Sequence, residues 1–264
     1  MNIIEKTGGV ILGAVRQTAE VLRLLGDTVY WLIFGPLRNK FVKSDSIFAQ
    51  MVFAGIGSLV IALFVSFFTG IVIAMQSAYQ LSRFGANIYV APMVSVGLAR
   101  ELGPVLTALV VAGRVGAAIT AELGTMKVTE QIEALETMAL NPIRFLVVPR
   151  FLSLIIMLPC LVVFADLIGI LGGLLVGVFN LGLDPYRYLT FSFKFMAWKD
   201  IWTGLVKSFV FGVIISMVGC YMGLKTKGGA EGVGKATTQS VVTSFVLIIL
   251  FDCILTGLFY FANK

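Results

Sequence analysis

The 264-residue sequence lacks histidine altogether and is poor in charged residues and in cysteine. The absence of histidine excludes His-ligated metals, Ser-His-Asp triads and imidazole proton relays. The three cysteines, Cys160, Cys220 and Cys253, lie far apart in apolar runs without C-x-x-C spacing, as is typical of small buried side chains. No clustered acidic motif for a metal ion stands out either. The sequence therefore offers little side-chain chemistry for a membrane-embedded lipid-modifying enzyme or any other enzyme.

Apolar length is what the sequence has in abundance. Hydrophobic residues make up 58% of the chain and charged residues 13%, against about 25% charged in a soluble domain. Residues 46–82 carry no charge, and because about 20 helical residues cross a bilayer core, this run predicts one span with an extension. Four further spans are predicted at about 89–113, 151–178, 201–224 and 241–261. The pattern indicates an all-α polytopic membrane protein with five transmembrane helices, its spanning domain covering residues 46–264.

Residues 1–45 differ from the spanning domain in their pattern. Charged residues interrupt any apolar core of a secretory signal. Apolar residues recur instead at helical spacing, and Arg16, Glu20 and Arg23 fall on the other side of the helix. This pattern predicts an amphipathic helix in the membrane interface, prolonged by Tyr30, Trp31 and a break at Gly35-Pro36. The apolar stripe consists of Ile11, Ala14, Val15, Thr18, Val21, Leu22 and Leu25.

The distribution of basic residues predicts the orientation. With the N-terminal region inside, thirteen Lys and Arg residues fall on the inner side and five on the outer side. Because cytoplasmic loops are enriched in Lys and Arg, the N-terminal region is expected to be cytoplasmic and the C-terminus periplasmic. Topology and anionic lipid explain the net charge of +6, so nucleic acid need not be invoked.

Residues 229–237, GAEGVGKAT, come close to an ATP-binding loop. Gly229, Gly234 and Lys235 match the G-x-x-x-x-G-K-[ST] spacing, but Ala236 has no hydroxyl for Mg²⁺. The stretch lies between two spans and not between a strand and a helix, so it cannot present its amides to phosphates. We expect a tight turn here, before a helix that begins near Thr237 or Thr238 and is capped by their hydroxyls. If ATP drives this protein, another chain must bind it.

A second inner segment predicts a short helix outside the bilayer. Val128, Ile132, Leu135 and Ala139 form one stripe, and Asn141-Pro142 stops the helix. Glu130 and Glu133 lie near its N-terminus, where the helix dipole favours acidic residues. The pattern fits docking into the groove of a soluble partner and packing on the chain's own spans equally well.

Five charged residues lie within the predicted spans: Arg100, Glu101, Asp166, Lys207 and Asp252. A charge at the bilayer centre costs a few kcal/mol or more unless it is paired or hydrated. Such residues therefore either form ion pairs that position the helices or line a polar path for lipid headgroups. Adjacent helical residues point about 100° apart, so at least one of Arg100 and Glu101 must face a cavity or an interface. Glu101 is expected to hold Arg100 or to pair with Lys207, and Arg100 is the better phosphate contact because guanidinium matches phosphate oxygens.

Three stretches carry a resemblance to a known family. Residues 98–151, LARELGPVLTALVVAGRVGAAITAELGTMKVTEQIEALETMALNPIRFLVVPRF, closely resemble the MlaE family of permeases, as do GAEGVGKATTQSVV and the C-terminal LFDCILTGL. The similarity spans nearly the whole chain. It implies the bacterial inner-membrane subunit of an ABC-type lipid transporter. In that assembly a permease homodimer pairs with two cytoplasmic ATPases, which carry the ATP and Mg²⁺, and with a periplasmic oligomer of MCE-domain proteins. The cargo would be phospholipid or a related lipid, moved toward or from the outer membrane.

The resemblance also implies roles for particular residues. Arg100 and Glu101 align with the family's RELGP motif, and Asp200, Lys207 and Asp252 fall on polar positions of the family. Within residues 70–85, GIVIAMQSAYQLSRFG, similar positions line an outward-open lipid cavity; here they are Ile73, Met75, Leu81 and Phe84. The helix at 130–138 would be the coupling helix that sits on the ATPase, with Glu130, Ile132, Glu133, Leu135 and Glu136 as its contact residues.

The competing interpretation is a self-sufficient secondary lipid carrier that uses Glu101 or Asp252 as a proton site. No internal repeat of the kind common in such carriers stands out in the sequence. The transport direction, the identity of the lipid and the choice of MCE protein stay open at this level.

Overall fold

A computed structural model of the chain describes residues 3–37 and 44–261, with side chains over 16–35 and 44–259. These ranges are helical and contain no strand. Within these ranges, five helices are long and apolar enough to cross a membrane, which confirms the all-α class and a multi-pass membrane protein. In chain order the helices are α1 Ile3–Leu37, α2 Ser44–Phe84, α3 Asn87–Val128, α4 Gln131–Thr137, α5 Ile143–Phe179, α6 Pro185–Phe195, α7 Trp198–Leu224 and α8 Gly229–Phe261.

Helix α3 extends well beyond the bound predicted from hydropathy at residue 113. It continues to Val128 because the charged residues that end the apolar run have partners. The Arg114 guanidinium donates to the Phe53 carbonyl at 3.1 Å and to the Ser58 hydroxyl at 2.9 Å. Glu122 accepts from Arg150 of α5 at 2.9 Å. Hydropathy therefore located the span but not the end of its helix.

In the described part of the chain, three π-helical turns interrupt the long helices, at Val52–Ile56, Leu98–Leu102 and Ala112–Gly116, and a fourth, Ile143–Val147, opens α5. Such turns hold one residue more than an α-helical turn and often occur at functional sites. Proline contributes to the second one, because Pro104 lies two residues after its end and has no N–H to donate to the Arg100 carbonyl. This turn contains both Arg100 and Glu101.

The helices enclose two apolar clusters. The larger one joins α1, α2, α3, α5, α7 and α8 and includes Leu24, Ile119, Leu154, Phe211 and Ile248. The smaller one joins α2, α3, α5 and α6. Helices α2 and α5 approach so closely that a Cβ on Gly70 would lie 1.9 Å from the Gly169 carbonyl oxygen. Glycine is therefore required at this crossing.

Helix α4 is shorter than the predicted segment 130–138. Glu130 and Ala139 both adopt left-handed backbone conformations, with φ of 59° and 57°, so neither continues the helix. The prediction that Ala139 extends the apolar stripe of this helix is therefore wrong, because Ala139 lies outside α4. The stop expected at Asn141-Pro142 is wrong, since α4 already ends at Thr137. The Asn141 side chain instead accepts from the backbone N–H groups of Ile143 and Arg144 and so caps the start of α5.

The turn predicted for residues 229–237 is wrong. Around this stretch, positive φ occurs only at Gly228 and Gly229, with 90° and 68°, and helix α8 already begins at Gly229. The Thr237 and Thr238 hydroxyls donate to carbonyls one turn earlier in α8, so they do not cap its N-terminus. The stretch follows helix α7 and opens another helix, which is not the context of a phosphate-binding loop.

Helix α1 runs through Gly35 and Pro36 to Leu37, so the break expected at that pair does not occur within the helix. Leu24 and Thr28 are buried against the spans, whereas Leu22, Ile33 and Phe34 are exposed. The interfacial position of α1, and the domain boundary at residue 45, stay predictions. Outside the described part of the chain lie the side chains of Ile11, Ala14 and Val15 and the whole of residues 38–43. Residues 38–43 include some of the basic residues on which the predicted orientation rests.

Candidate functional site

A cluster of charged side chains joins three of the spans, and Lys207 of α7 lies at its centre. The Lys207 side chain is only 1% exposed. It donates to the Glu101 carboxylate of α3 and to the Thr256 hydroxyl of α8 at 2.7 Å, and its ammonium lies 2.8 Å from Asp252 of α8. One buried cation thus holds two carboxylates from two different helices.

Local structure explains how these groups meet. Asp252 and Thr256 are four residues apart, so they share one face of α8. Thr256 also contacts the Glu101 carboxylate at 3.2 Å. Gly204, one turn before Lys207, lets α7 approach the π turn of α3, since a Cβ there would lie 2.1 Å from the Ala99 carbonyl oxygen. Close helix contact is what brings Lys207 within reach of Glu101.

Arg100 extends the cluster toward the start of α7. Its guanidinium lies 3.7 Å from Asp200, with side chains 22% and 11% exposed respectively. Asp200 also accepts from the Ala197 backbone N–H at 3.0 Å and thereby caps α7. The whole cluster contains three carboxylates and two cations.

Asp166 does not belong to this cluster. Its Oδ1 atom is buried without a hydrogen-bond partner and packs against Gly103, where a Cβ would lie 1.8 Å from it. The sequence-predicted intramembrane network is therefore divided. Asp200, Lys207 and Asp252 lie with Arg100 and Glu101, whereas Asp166 of α5 packs against Gly103, the residue just after the π turn.

The four apolar residues predicted to line a lipid cavity do not share one face of α2. Ile73 and Leu81 pack against the smaller apolar cluster. Met75 and Phe84 are 45% and 82% exposed and point outward. Of these four side chains, Met75 and Phe84 are therefore the two that present an exposed surface to a lipid.

The predicted coupling residues divide in a similar way. Ile132 is buried and so anchors α4 to its own chain, while Leu135 is half-buried. Glu133 accepts from Lys127 at the end of α3, and this hydrogen bond lowers the pKa of its carboxyl. Glu130 and Glu136 are exposed. The outward surface of α4 is therefore acidic.

Sequence reasoning missed two groups of residues. Thr256 could have been found from its spacing to Asp252 on α8. The second group ties α1 to α7: Glu20 accepts from the Tyr221 hydroxyl at 2.7 Å and from Lys225 at 2.6 Å. These hydrogen bonds, the one from Lys225 above all, lower the pKa of Glu20 to about 2. No sequence signal marks this contact across 200 residues.

Metal chemistry finds no support in the described residues, which contain no group of three or more His, Cys, Asp or Glu placed to hold a metal ion. The two cations of the cluster in the spans are both engaged with carboxylates. The arrangement suits charge recognition and helix positioning better than bond-making chemistry.

Comparison with known proteins shows the family to which the chain is related. The family described as Permease MlaE matches residues 47–258. A probable ABC transporter permease protein of Rickettsia conorii is 49% identical over 214 residues, which cover 81% of this chain and 83% of that protein. The intermembrane phospholipid transport system permease protein MlaE of Haemophilus influenzae is 36% identical over 252 residues, 94% and 96% of the two chains. Protein TRIGALACTOSYLDIACYLGLYCEROL 1, chloroplastic, of Arabidopsis thaliana is 34% identical over 240 residues, 91% of this chain and 65% of that protein. On this similarity the chain belongs to the MlaE permease family.

Proposed function

We propose that the chain is the membrane-spanning subunit of an ATP-driven transporter that moves phospholipid, or a related lipid, between the bacterial inner membrane and an MCE-protein complex. The observation that carries this proposal is the 36% identity, over 94% of the chain, to a protein named as an intermembrane phospholipid transport permease. The five apolar spans support the same function, because a lipid carrier must work inside the bilayer.

ATP hydrolysis is assigned to a separate cytoplasmic ATPase chain, two copies of which would serve a permease homodimer. Relatives named as ABC transporter permeases support this division of labour. The stretch around Lys235 supports it as well, since it is helical and Ala236 has no hydroxyl for Mg²⁺. Helix α4, with its exposed Glu130 and Glu136, is the proposed contact with the ATPase.

Within the spans, Arg100 is the proposed contact for a lipid phosphate. Its side chain is 22% exposed, and guanidinium forms paired hydrogen bonds with phosphate oxygens. Carboxylates outnumber cations in the cluster, so phosphate recognition is assigned to Arg100 alone. Glu101, Lys207 and Asp252 hold the π turn in place beneath it.

The alternative, a secondary carrier that uses Glu101 or Asp252 as a proton site, is disfavoured by their shared contact with Lys207. Both carboxylates serve as partners of one buried ammonium, which would lose a counter-charge if either were withdrawn.

Reconstitution tests the proposal. Vesicles that contain the permease with its ATPase and MCE partners should move labelled phospholipid only when ATP is present. The chain alone should neither transport phospholipid nor bind ATP. ATP-independent transport driven by a proton gradient would overturn the proposal, as would nucleotide binding that Lys235→Ala abolishes.

Variants of Arg100 test the site itself. Arg100→Ala should reduce transport at least tenfold at normal membrane levels, and Arg100→Lys should recover only part, because an ammonium lacks the planar fork. Arg187→Ala, which removes an exposed arginine of α6, is the matched control. A photoreactive group at position 100 should label phospholipid in the assembled transporter. Labelling confined to protein would leave Arg100 a helix-positioning residue.

A further inference from the structure

A small basic cavity lies where α1 meets the ends of α7 and α8. It measures about 200 Å³. Three lysines line it: Lys225 and Lys227 from the connection between α7 and α8, and Lys235 from the second turn of α8. Gln17 of α1 and Gln239 of α8 also face it. Among the described residues, no aspartate or glutamate lines this cavity.

The three lysines differ in their partners. Lys225 is neutralised by Glu20 at 2.6 Å. Lys227 and Lys235 are exposed, and in the described part of the chain neither lies within 4.0 Å of a carboxylate. Two like charges that face one cavity repel each other, and an anion between them would relieve this repulsion. The Lys227 and Lys235 ammonium groups therefore favour the binding of an anion in this cavity.

The size and surroundings of the cavity indicate which anion it takes. Sites for whole small molecules span about 300–1,000 Å³, so this one suits a phosphate group rather than a nucleotide. On the side of α1 the cavity is lined by Gln17. From Gln239 an exposed apolar stripe runs along the same face of α8 through Val242, Val246 and Ile249. A lipid whose phosphate sits in the cavity can lay its acyl chains along this stripe.

We propose that this cavity binds the phosphate of an anionic lipid as a resident ligand, distinct from the transported lipid near Arg100. Basic pockets between helices at the ends of spans are a known means of holding anionic headgroups. The lipid would bridge α1, α7 and α8, which the Glu20 contacts already link at one point. Lys235, from the stretch that is similar to a nucleotide-binding loop, would thus bind the phosphate of a lipid and not that of a nucleotide.

Equilibrium binding to the purified full chain tests the proposal independently of transport. Native mass spectrometry in detergent would compare phosphatidylglycerol, phosphatidylcholine and sodium phosphate as probes. The double variant Lys227→Gln/Lys235→Gln should bind phosphatidylglycerol about thirtyfold more weakly, since each lysine near the headgroup contributes about fivefold. The control Lys194→Gln/Lys199→Gln removes two exposed lysines elsewhere in the chain and should change binding less than twofold. Equal phosphatidylglycerol binding by both double variants would overturn the proposal.

A second measurement locates the lipid and identifies its source. A photoreactive group in place of Gln239, which lines the cavity, should capture labelled phosphatidylglycerol, and one in place of Thr238, which does not, should capture little. Lysine-dependent binding of sodium phosphate without a preference for phosphatidylglycerol would identify a free-phosphate site and overturn the lipid assignment. Full transport by Arg100→Ala with lipid capture at 239 intact would refute only the proposed transport role of Arg100.

Discussion

Two π turns of the same helix hold charge in opposite ways. The turn at Leu98–Leu102 carries Arg100 and Glu101, whose partners Asp200 and Lys207 are themselves charged. The turn at Ala112–Gly116 carries Arg114, which donates to a carbonyl and a hydroxyl of α2 and stacks over the Phe53 ring at 5.3 Å. The charges of the first turn are paired with other charges, whereas the single cation of the second turn is held by neutral groups of α2.

Burial explains the difference. Lys207 is 1% exposed, and an ammonium so far from water needs carboxylates to offset its lost hydration. Arg114 is only half-buried, and its planar guanidinium is more weakly hydrated and spreads its charge over several donors. Neutral acceptors are then enough. Phe53 itself lies in the π turn Val52–Ile56, where the regular ladder of α-helical hydrogen bonds is interrupted.

Removal of Lys207 should have the largest effect. Lys207→Met leaves Glu101 and Asp252 facing each other without their cation, and loss of one partner of a buried ion pair costs about 3–5 kcal/mol. We expect the variant to lose most of its folded fraction after mild heating, as measured by fluorescence-detected size-exclusion chromatography. Wild-type survival of Lys207→Met would contradict the central role of this lysine.

A neutral version of the cluster separates folding from function. Lys207→Met combined with Glu101→Gln and Asp252→Asn removes all three charges and should recover most of the stability, because no charge is left unpaired. If this triple variant folds but does not transport lipid, the charges take part in transport. If it also transports lipid normally, they only position the helices.

The glycine beside each π turn gives the next largest contrast. A Cβ on Gly204 would lie 2.1 Å from a backbone carbonyl, that of Ala99, whereas a Cβ on Gly57 would meet the movable end of Arg114 at 2.4 Å. Gly204→Ala should therefore cost about 3 kcal/mol, the upper end of typical overpacking, and Gly57→Ala about 1 kcal/mol or less. Thermal unfolding of the two variants side by side measures this. Equal losses would show that the two turns pack alike.

Substitution of Arg114 should have a moderate effect. Arg114→Ala leaves the Phe53 carbonyl and the Ser58 hydroxyl without their donor, at a cost of about 1.5 kcal/mol. Ser58→Ala removes one of these acceptors in advance, so the double variant should lose less than the sum of the single losses. Strict additivity in thermal unfolding would mean that the two side chains do not interact.

Loss of the solvent-accessible contact between Glu20 and Lys225 should have the smallest effect, because both groups are in contact with water. Because Lys225 and Tyr221 lower the pKa of Glu20 from 4.5 to about 2, their contribution is fully present above about pH 4.5 and is lost as the pH falls toward 2. Hydrogen exchange in α1 should accelerate over that window while the spans stay protected. Glu20→Gln should abolish this pH dependence, and an unchanged profile in that variant would assign it to other groups.

Hydropathy was enough to predict the five spans, because apolar length is a local property of the sequence. It was not enough to end α3, since Arg114 and Glu122 are satisfied by partners on α2 and α5 that no local pattern reveals. The contact between Glu101 and Lys207 was one of two pairings expected from the sequence. The separation of Asp166 from the cluster could not be predicted, because it depends on how α5 is rotated against α3. The stretch at 229–237 misled because its glycines favour a turn, while α8 tolerates them at its exposed start.

The π turns have a consequence for how the length of this chain can vary. An α-helix turns by about 100° per residue, so the loss of one residue from a regular stretch such as Gly103–Val111 would swing everything beyond it onto another face. The loss of one residue from Leu98–Leu102 would instead convert a π turn into an ordinary turn and leave both flanks facing their neighbours. The long spans can therefore lose one residue at each of the π turns without a change of facing. Homologous chains whose spans differ in length by a single residue are expected to have that difference at one of these turns.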